Sequence, residues 1–501
     1  MNSTFTGINI ASRGLYASQV AMSVTTNNMS NANTTGYSRQ EVNQTPLGVA
    51  AVYAGQSILG NGTEVTSVDQ LRDTRLDQRY WQENTRLGNW ETKSSALTEI
   101  ESVLNPTSTS SGFSTVFNNF YSALESLDKT PGDSSTRNTV QEDGKAVCQY
   151  LNEASQELTA IREDENCAVK TTVDQINSYA GQIADLNSRI SQAVAANAST
   201  NELKDQRNLL LDKLSNLTDI TVTEDASDNN QMTIRVDGTT LVNGGEANEL
   251  EITEDSTNDG MYSVKWGKTG DSFTTTGGQL KAELDLRDGD GTDSSYQGIP
   301  YYINQLNKFA QTFAQAFNEG TASYSGHADG YLSDGTTTGI RFFSYDDTSS
   351  ADFTAEITSE GAAAAYQKIT AANISLSKDI EDNVSNIAAA DSSGGTDNAN
   401  NVDQLIKLVK DSSMFNKGTP EDFYNSIVST LATDSSTAQR SSTNATSLVK
   451  TINDRRTSVS GVDTNEETAT MTKYQQAYEA SSKMVSVWDE LYAKTIAMVN
   501  D

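Results

Sequence analysis

The only histidine, His327, lies in a Gly/Ser/Asp-rich stretch. A zinc-binding H-E-x-x-H helix, or any multi-histidine metal site, needs more than one imidazole and is excluded. A Ser-His-Asp triad would have to recruit His327, and no G-x-S-x-G elbow offers it a nucleophile. A lone histidine in such a loop is expected to be an exposed polar residue. Gly267-Lys268-Thr269 ends like a phosphate-binding loop, but Tyr262 stands where G-x-x-x-x-G-K-T places its first glycine. The setting is also strand and turn, where a phosphate loop leads into a helix. Asp285, Asp288, Asp290 and Asp293 hint at a calcium loop. Their spacing misses the D-x-D-x-D-G register, and Ile299 occupies the closing glutamate position if Asp288 opens the loop. They are expected to form a solvated turn. Cys148 and Cys167, the only cysteines, fall in one helical pattern. Nineteen residues of helix separate them by about 28 Å, beyond the reach of a disulfide. The expectation is therefore no catalytic residue, no cofactor and no metal.

Composition points the same way. The 501 residues carry 35 basic and 67 acidic side chains, a net charge of −32, which opposes binding to nucleic acid or to an anionic membrane. No run approaches the 18 or so apolar residues of a membrane span. Met1-Asn2-Ser3-Thr4-Phe5 has neither the basic nor the apolar region of a conventional signal peptide. Only five prolines interrupt the chain, which leaves room for long helices.

Ile8, Leu15, Met22 and Met29 fall seven apart, with Ala11 and Ala21 beside them. They predict a narrow heptad seam set among poor helix formers, so this helix needs a partner. Asn27 to Gly36 should end it. Short extended segments are expected over 46–68. Helical spacing returns at Tyr80–Leu104, stopped by Asn105-Pro106, and again at Phe113–Leu127. A very long helical pattern then runs through Val147, Leu158, Ile176 and Ile190 to Leu217. Period-two alternation at Met232-Ile234-Val236 and Tyr262-Val264-Trp266 marks a small antiparallel β region, 218–285. Helix resumes at Tyr302–Phe317. Short helices are expected near 361–370, 380–390 and 402–413, and a long one from 420 breaks at Val459-Ser460-Gly461. Met471, Tyr478, Val485, Tyr492 and Val499 are again seven apart, with Tyr474, Ser481, Trp488 and Thr495 in the paired position. Both ends thus carry heptad seams. They pack on each other, on neighbouring chains, or in an ordinary intramolecular bundle.

The segment Asn27-Asn28-Met29-Ser30-Asn31-Ala32-Asn33-Thr34-Thr35-Gly36-Tyr37 resembles the N-terminal signature of bacterial flagellar rod, hook and hook-associated proteins. Ser38-Arg39-Gln40 resembles the version in the hook-associated protein 1 family. Ser460-Gly461-Val462-Asp463-Thr464-Asn465-Glu466-Glu467, followed by Tyr474-Gln475-Gln476-Ala477-Tyr478-Glu479-Ala480, resembles that family's closing motif. Asp205-Gln206-Arg207, Leu241-Val242-Asn243-Gly244, Gly277-Gly278 with Arg287-Asp288, and Phe342-Phe343 follow in the family's order. Four positions depart from the pattern. Thr464-Asn465 replace a Leu-Asp pair, Ser482 replaces Ala, and Trp488 stands where a small residue is usual, so local seam packing is expected to differ.

The resemblance implies a mainly α, elongated, multi-domain fold: a long helical bundle with a small antiparallel β insertion and paired terminal coiled-coil helices. The expected division is 1–68 with 460–501 as an assembly domain, 69–217 with 286–459 as a helical middle, and 218–285 as the β region. The resemblance further implies a structural role at the hook–filament junction, in a ring of identical subunits. Partners would be the hook protein, hook-associated protein 3 and a cytoplasmic export chaperone at the C-terminal helix, with export lacking a cleaved signal peptide. Ile8, Leu15, Met22, Met29, Asn28, Asn31, Gly36, Tyr37 and Arg39 would carry assembly at one end, and Tyr474, Gln475, Tyr478, Val485, Trp488 and Tyr492 at the other. The competing readings are another flagellar axial subunit (hook-associated protein 3, rod or hook), a non-flagellar coiled-coil adaptor, and an enzyme carried on a flagellar scaffold.

Overall fold

The computed structural model describes residues 6–48, 60–104, 112–225, 231–393, 395, 397–415 and 418–500. Helix α1 (Thr6–Ser30) leads into an antiparallel hairpin, β1 (Gln40–Pro46) and β2 (Thr63–Gln70). Four helices follow: α2 (Thr74–Leu104), α3 (Phe113–Lys129), α4 (Ser134–Ala195) and α5 (Asn201–Leu217). The β layer comprises the meander β3 (Thr221–Asp225), β4 (Gln231–Val236), β5 (Thr239–Asn243) and β6 (Glu246–Ala247), beside the hairpin β7 (Leu250–Asp255) and β8 (Met261–Trp266). The chain continues through α6 (Gln279–Asp288), α7 (Ile299–Glu319), β9 (Phe343–Tyr345), α8 (Ser350–Glu360), α9 (Ala362–Gln367), β10 (Ile374–Leu376), α10 (Lys378–Asp382) and α11 (Asn400–Val409). It closes with α12 (Pro420–Ser460) and α13 (Thr464–Asn500). Mainly α architecture with small antiparallel sheets is therefore established, while Asn105-Pro106 and Gly55 lie outside the described residues.

Local chemistry explains the long helices. Asp133 caps α4 by accepting a hydrogen bond from the Ser135 N–H at 2.9 Å. Thr419 and Asp422 form a capping box on α12, with Pro420 in the first turn, where its missing N–H is not needed. Sixty-two residues make α4 about 93 Å long.

One core could not serve such a rod, and α4 crosses two. Its first half, Val140 to Ile161, packs with the aromatics of α3 (Phe113, Phe117, Phe120), α7 (Phe309, Phe313, Phe317) and Phe342-Phe343. The scarce aromatic residues are thus concentrated where a large core has to be filled. The second half of α4, Val169 to Ala184, packs with α5, Trp81 of α2 and the inward faces of the β layer, including Ile234, Val236 and Trp266. Residues 218–285 therefore enclose no core of their own. The β layer is one wall of a core whose other wall is helical, which the division read from the sequence did not anticipate. Helices α2 and α12 pack against each other along the molecule: Tyr424 donates to the Leu104 carbonyl at 2.8 Å, and Arg456 reaches Asp77 at 2.8 Å.

The segment between α7 and α12 departs most from expectation. Helix α8 and the pair β9–β10 were not foreseen; a buried amide ties the start of β9 to α7. Asn318 donates to the Phe343 carbonyl (2.7 Å) and accepts from the Phe342 and Phe343 N–H groups (2.9 and 3.0 Å). Nor is His327 exposed; it is fully buried. Its Nδ1 lies 2.8 Å from the Ile340 carbonyl, and its Nε2 accepts from the Ala388 N–H at 2.9 Å. These partners fix a neutral ring with the proton on Nδ1. Burial pushes its pKa down to about 4.

Because His327 is held neutral when folded but ionises near 6.5 when unfolded, its contribution to stability is intact above about pH 6.5 and is lost as pH falls toward 4. The single-histidine NMR signal is expected to show no titration above about pH 5. A midpoint near 6.5 in the folded protein would contradict this burial.

Candidate assembly site at the joined termini

Helices α1 and α13 pack antiparallel, in heptad register. A Cβ on Gly7 would fall 2.3 Å from the Trp488 ring, and one on Gly14 would fall 3.1 Å from the Ser481 hydroxyl. Two heptads further, Asn28 donates to Glu467 at 3.2 Å. Each step of seven along α1 is met by a step of seven back along α13. The buried residues of α1 are Ala11, Ala17, Ser18, Ala21, Thr25 and Asn28. This corrects the seam read from the sequence: Ile8, Leu15 and Met22 are only half-buried and flank the contact, and Met29 is exposed. Size explains the difference. Helix α13 presents Tyr474, Tyr478, Val485, Trp488 and Tyr492, all half-buried, so the facing surface of α1 must be small. Gly7, Gly14 and Ala21 also fall seven apart and were the available signal. Trp488, unusual for the motif, finds room because Gly7 has no side chain.

The Asn27–Gln40 segment forms the joint below this pair. Buried Asn28 donates to the Gln40 carbonyl (2.9 Å) and accepts from the Gln40 N–H (3.0 Å), so its amide pairs with the backbone as a strand would. It also accepts from the Tyr37 hydroxyl at 2.9 Å. Burial, then Asp205, Glu202 and Glu467, push the Tyr37 hydroxyl up to about 12, so it stays protonated as a donor. Asn31 turns back to Asn27, donating to its carbonyl at 3.0 Å, which stops the helix. Gly36 adopts φ +84° over Leu209. Gln475 is exposed and takes no part in the seam.

Arg39 rivets the joint. Its side chain reaches Glu466 (3.0 Å) and the buried Glu467 (2.7 Å). Its N–H donates to the Ser460 carbonyl, and its own carbonyl accepts from the Leu71 N–H, both at 2.8 Å. Below it lies a chain of charges absent from the sequence reading. Arg72 binds Asp77 through two nitrogens (2.7 and 3.1 Å), Arg456 reaches Asp77 and Asp212 (2.8 and 3.0 Å), and the Trp81 indole donates to Asp212 at 2.7 Å. Ser38 joins in, its N–H donating to Asp205 at 3.1 Å. Buried ion pairs are poor stabilisers but strict about geometry. Here they orient α2, α5 and α12 beneath the joint. Among the described residues no group of three His, Cys, Asp or Glu could hold a metal, and no helix is long and apolar enough to cross a membrane.

Asn28→Ala would leave Gln40 and Glu467 without their buried partner, at a cost of about 1–3 kcal/mol to the terminal pair. Gly7→Ala should displace Trp488 at a similar cost of about 1–3 kcal/mol, and Trp488→Ala in the same chain should restore packing. Hydrogen exchange over residues 464–492 reads both, since global unfolding would mainly report the two cores.

Comparison with known proteins follows the same geography. A family model described as the helical domain of flagellar hook-associated protein FlgK matches residues 97–343. A flagellar basal body rod protein model matches 8–37, and the C-terminal model of basal body rod FlgEFG proteins matches 437–498. Flagellar hook-associated protein 1 of Bacillus subtilis is 31% identical over 523 residues, spanning 99% of this chain and 98% of that protein. Its Salmonella typhimurium counterpart is 28% identical over 369 residues, covering 70% of this chain and 63% of that protein. The flagellar hook junction protein FlgK from Burkholderia pseudomallei has a similar fold, with TM-score 0.61 at 17% identity over 77% of this chain and all of that one. The chain belongs to the flagellar hook-associated protein 1 family and is a structural, non-enzymatic component of the bacterial flagellum.

Proposed function

We propose that the protein is a junction subunit between hook and filament, assembling with copies of itself into a ring through α1 and α13. The observation that supports this reading is a second apolar stripe on α13. Its first stripe is spent on α1. Met484, Val487, Leu491 and Met498 form another at heptad spacing and are roughly half or more exposed, as is Tyr16 on α1. A helical pair that leaves such a stripe open is suited to a further helical layer. A second copy of the chain is the proposed occupant. Ile8, Leu15, Met22 and Met29, flanking the internal seam, are proposed to join that outer contact.

In this reading residues 1–68 with 460–501 act as the assembly domain, and the two-core body hangs outside it. The hook protein and hook-associated protein 3 are the proposed axial neighbours. Before export, a cytoplasmic chaperone would cover the C-terminal helix, an amphipathic helix in a groove. The poor helix formers of α1 fit termini that gain order as neighbours bury them.

Immunogold labelling of flagella with antibody against this chain is expected to give a compact band between hook and filament. Label spread along hook or filament would reassign the chain to another axial position. Met484→Asp with Leu491→Asp should leave both cores folded by circular dichroism while abolishing incorporation into flagella. Normal incorporation of that variant would exclude the stripe as an interface.

A further inference from the structure

The two cores are separated by a polar waist. Helix α4 leaves the first core at Ile161 and enters the second at Val169; Glu165 lies between them. Helix α6 does the same, with Leu280 in one core, Leu286 in the other and Glu283 between. A cavity of about 310 Å³ opens there, bounded by α2, α4, α5 and α6. Four carboxylates line it: Glu91 and Glu99 from α2, Glu165 from α4 and Glu283 from α6. No Lys or Arg does. The cations of α6 are committed elsewhere, Arg287 to Asp288 and Lys281, with Lys93 of α2, to Asp285.

Glu283 is 1% exposed. Its Oε1 is pinned by the Thr172 hydroxyl (2.8 Å) and the Gln279 amide (2.9 Å), while its Oε2 is buried without a partner. Glu165 Oε2 is likewise buried and unpartnered. A buried carboxylate oxygen left bare, beside a second one, calls for a positive charge.

We propose that this waist cavity is a site for a hard divalent cation, with Glu165 and Glu283 as its two carboxylate ligands. No third acid converges closely enough among the described residues, so the remaining ligands are neutral: the Ser95 or Thr92 hydroxyl, the Asn216 amide oxygen, and water. Two carboxylates plus water and neutral oxygens suit Mg²⁺ or Ca²⁺. In the absence of the ion the pair holds protons. Burial raises both carboxyls, Glu165 to about 8, helped by repulsion from Glu283, Glu99 and Asp164, and Glu283 to about 7, despite Gln279, Thr172 and Arg287. The ion ties α2, α4 and α6 together between the cores.

The test is thermal unfolding of the full-length protein in about 10 mM CaCl₂ or MgCl₂ against NaCl of equal ionic strength. A rise of about 3–6 °C is expected near pH 8. Glu165→Gln and Glu283→Gln should each abolish the rise. Calorimetry of the unmutated protein titrated with CaCl₂ or MgCl₂ should register saturable binding of one ion per chain, which does not depend on any variant folding. No shift beyond the NaCl control, an equal shift in the Gln variants, or no saturable binding of the ion would each overturn the site and leave a pair that holds protons alone.

Discussion

Everything at the joined termini depends on one contact between residues far apart in the chain. Asn28 and Glu467 are separated by 439 positions, yet they share a buried hydrogen bond. A loop that long is entropically costly to close, and no single hydrogen bond offsets it. The closure is carried by the body: α2 and α12 lie side by side, and Arg456 against Asp77 holds the ends that lead to α1 and α13 together. The polar joint then selects the register. An amide that bonds both groups of Gln40 and a carboxylate shared with Arg39 tolerates no slip, because a shift of one residue would strand several buried polar groups.

Much of this architecture was legible in the sequence. Period seven at both ends, period two over the β layer, and the break at Val459-Ser460-Gly461 correspond to elements that exist. The seam of α1 was misread because hydrophobicity was followed where complementarity of size decided. Large residues on α13 demanded small ones opposite, and a stripe of Gly, Ala, Ser and Thr carries little hydrophobic signal. The charge chain Arg72–Asp77–Arg456–Asp212 gave no signal either. Its members come from three distant stretches of the chain, residues 72–77, 212 and 456, and singly each looks like an ordinary solvated residue.

The short interior motifs acquire physical meaning once placed. Arg207, 1% exposed, donates to Asn187 at 2.9 Å, and Asn187 in turn donates to the Gly244 carbonyl at 2.9 Å. Asp205-Gln206-Arg207 and Leu241-Val242-Asn243-Gly244 are thus two ends of one network tying α5 to the β layer through α4. Gly278, with φ +88°, passes so near the Leu217 backbone that a Cβ would sit 2.6 Å from it. Phe342-Phe343 fills the first core. Such motifs are packing constraints, in keeping with a chain that does no chemistry.

Arg39 bonds through its backbone to Ser460 on one side and Leu71 on the other. The chain thus enters the body beside the place where it leaves, and a third segment stitches the two crossings together. A single tether would let the body swivel freely about its axis. Two crossings joined through a common residue behave as a ribbon, and a ribbon resists twist. A twist applied at the terminal helices would reach α2 and α12 together, and through them both cores.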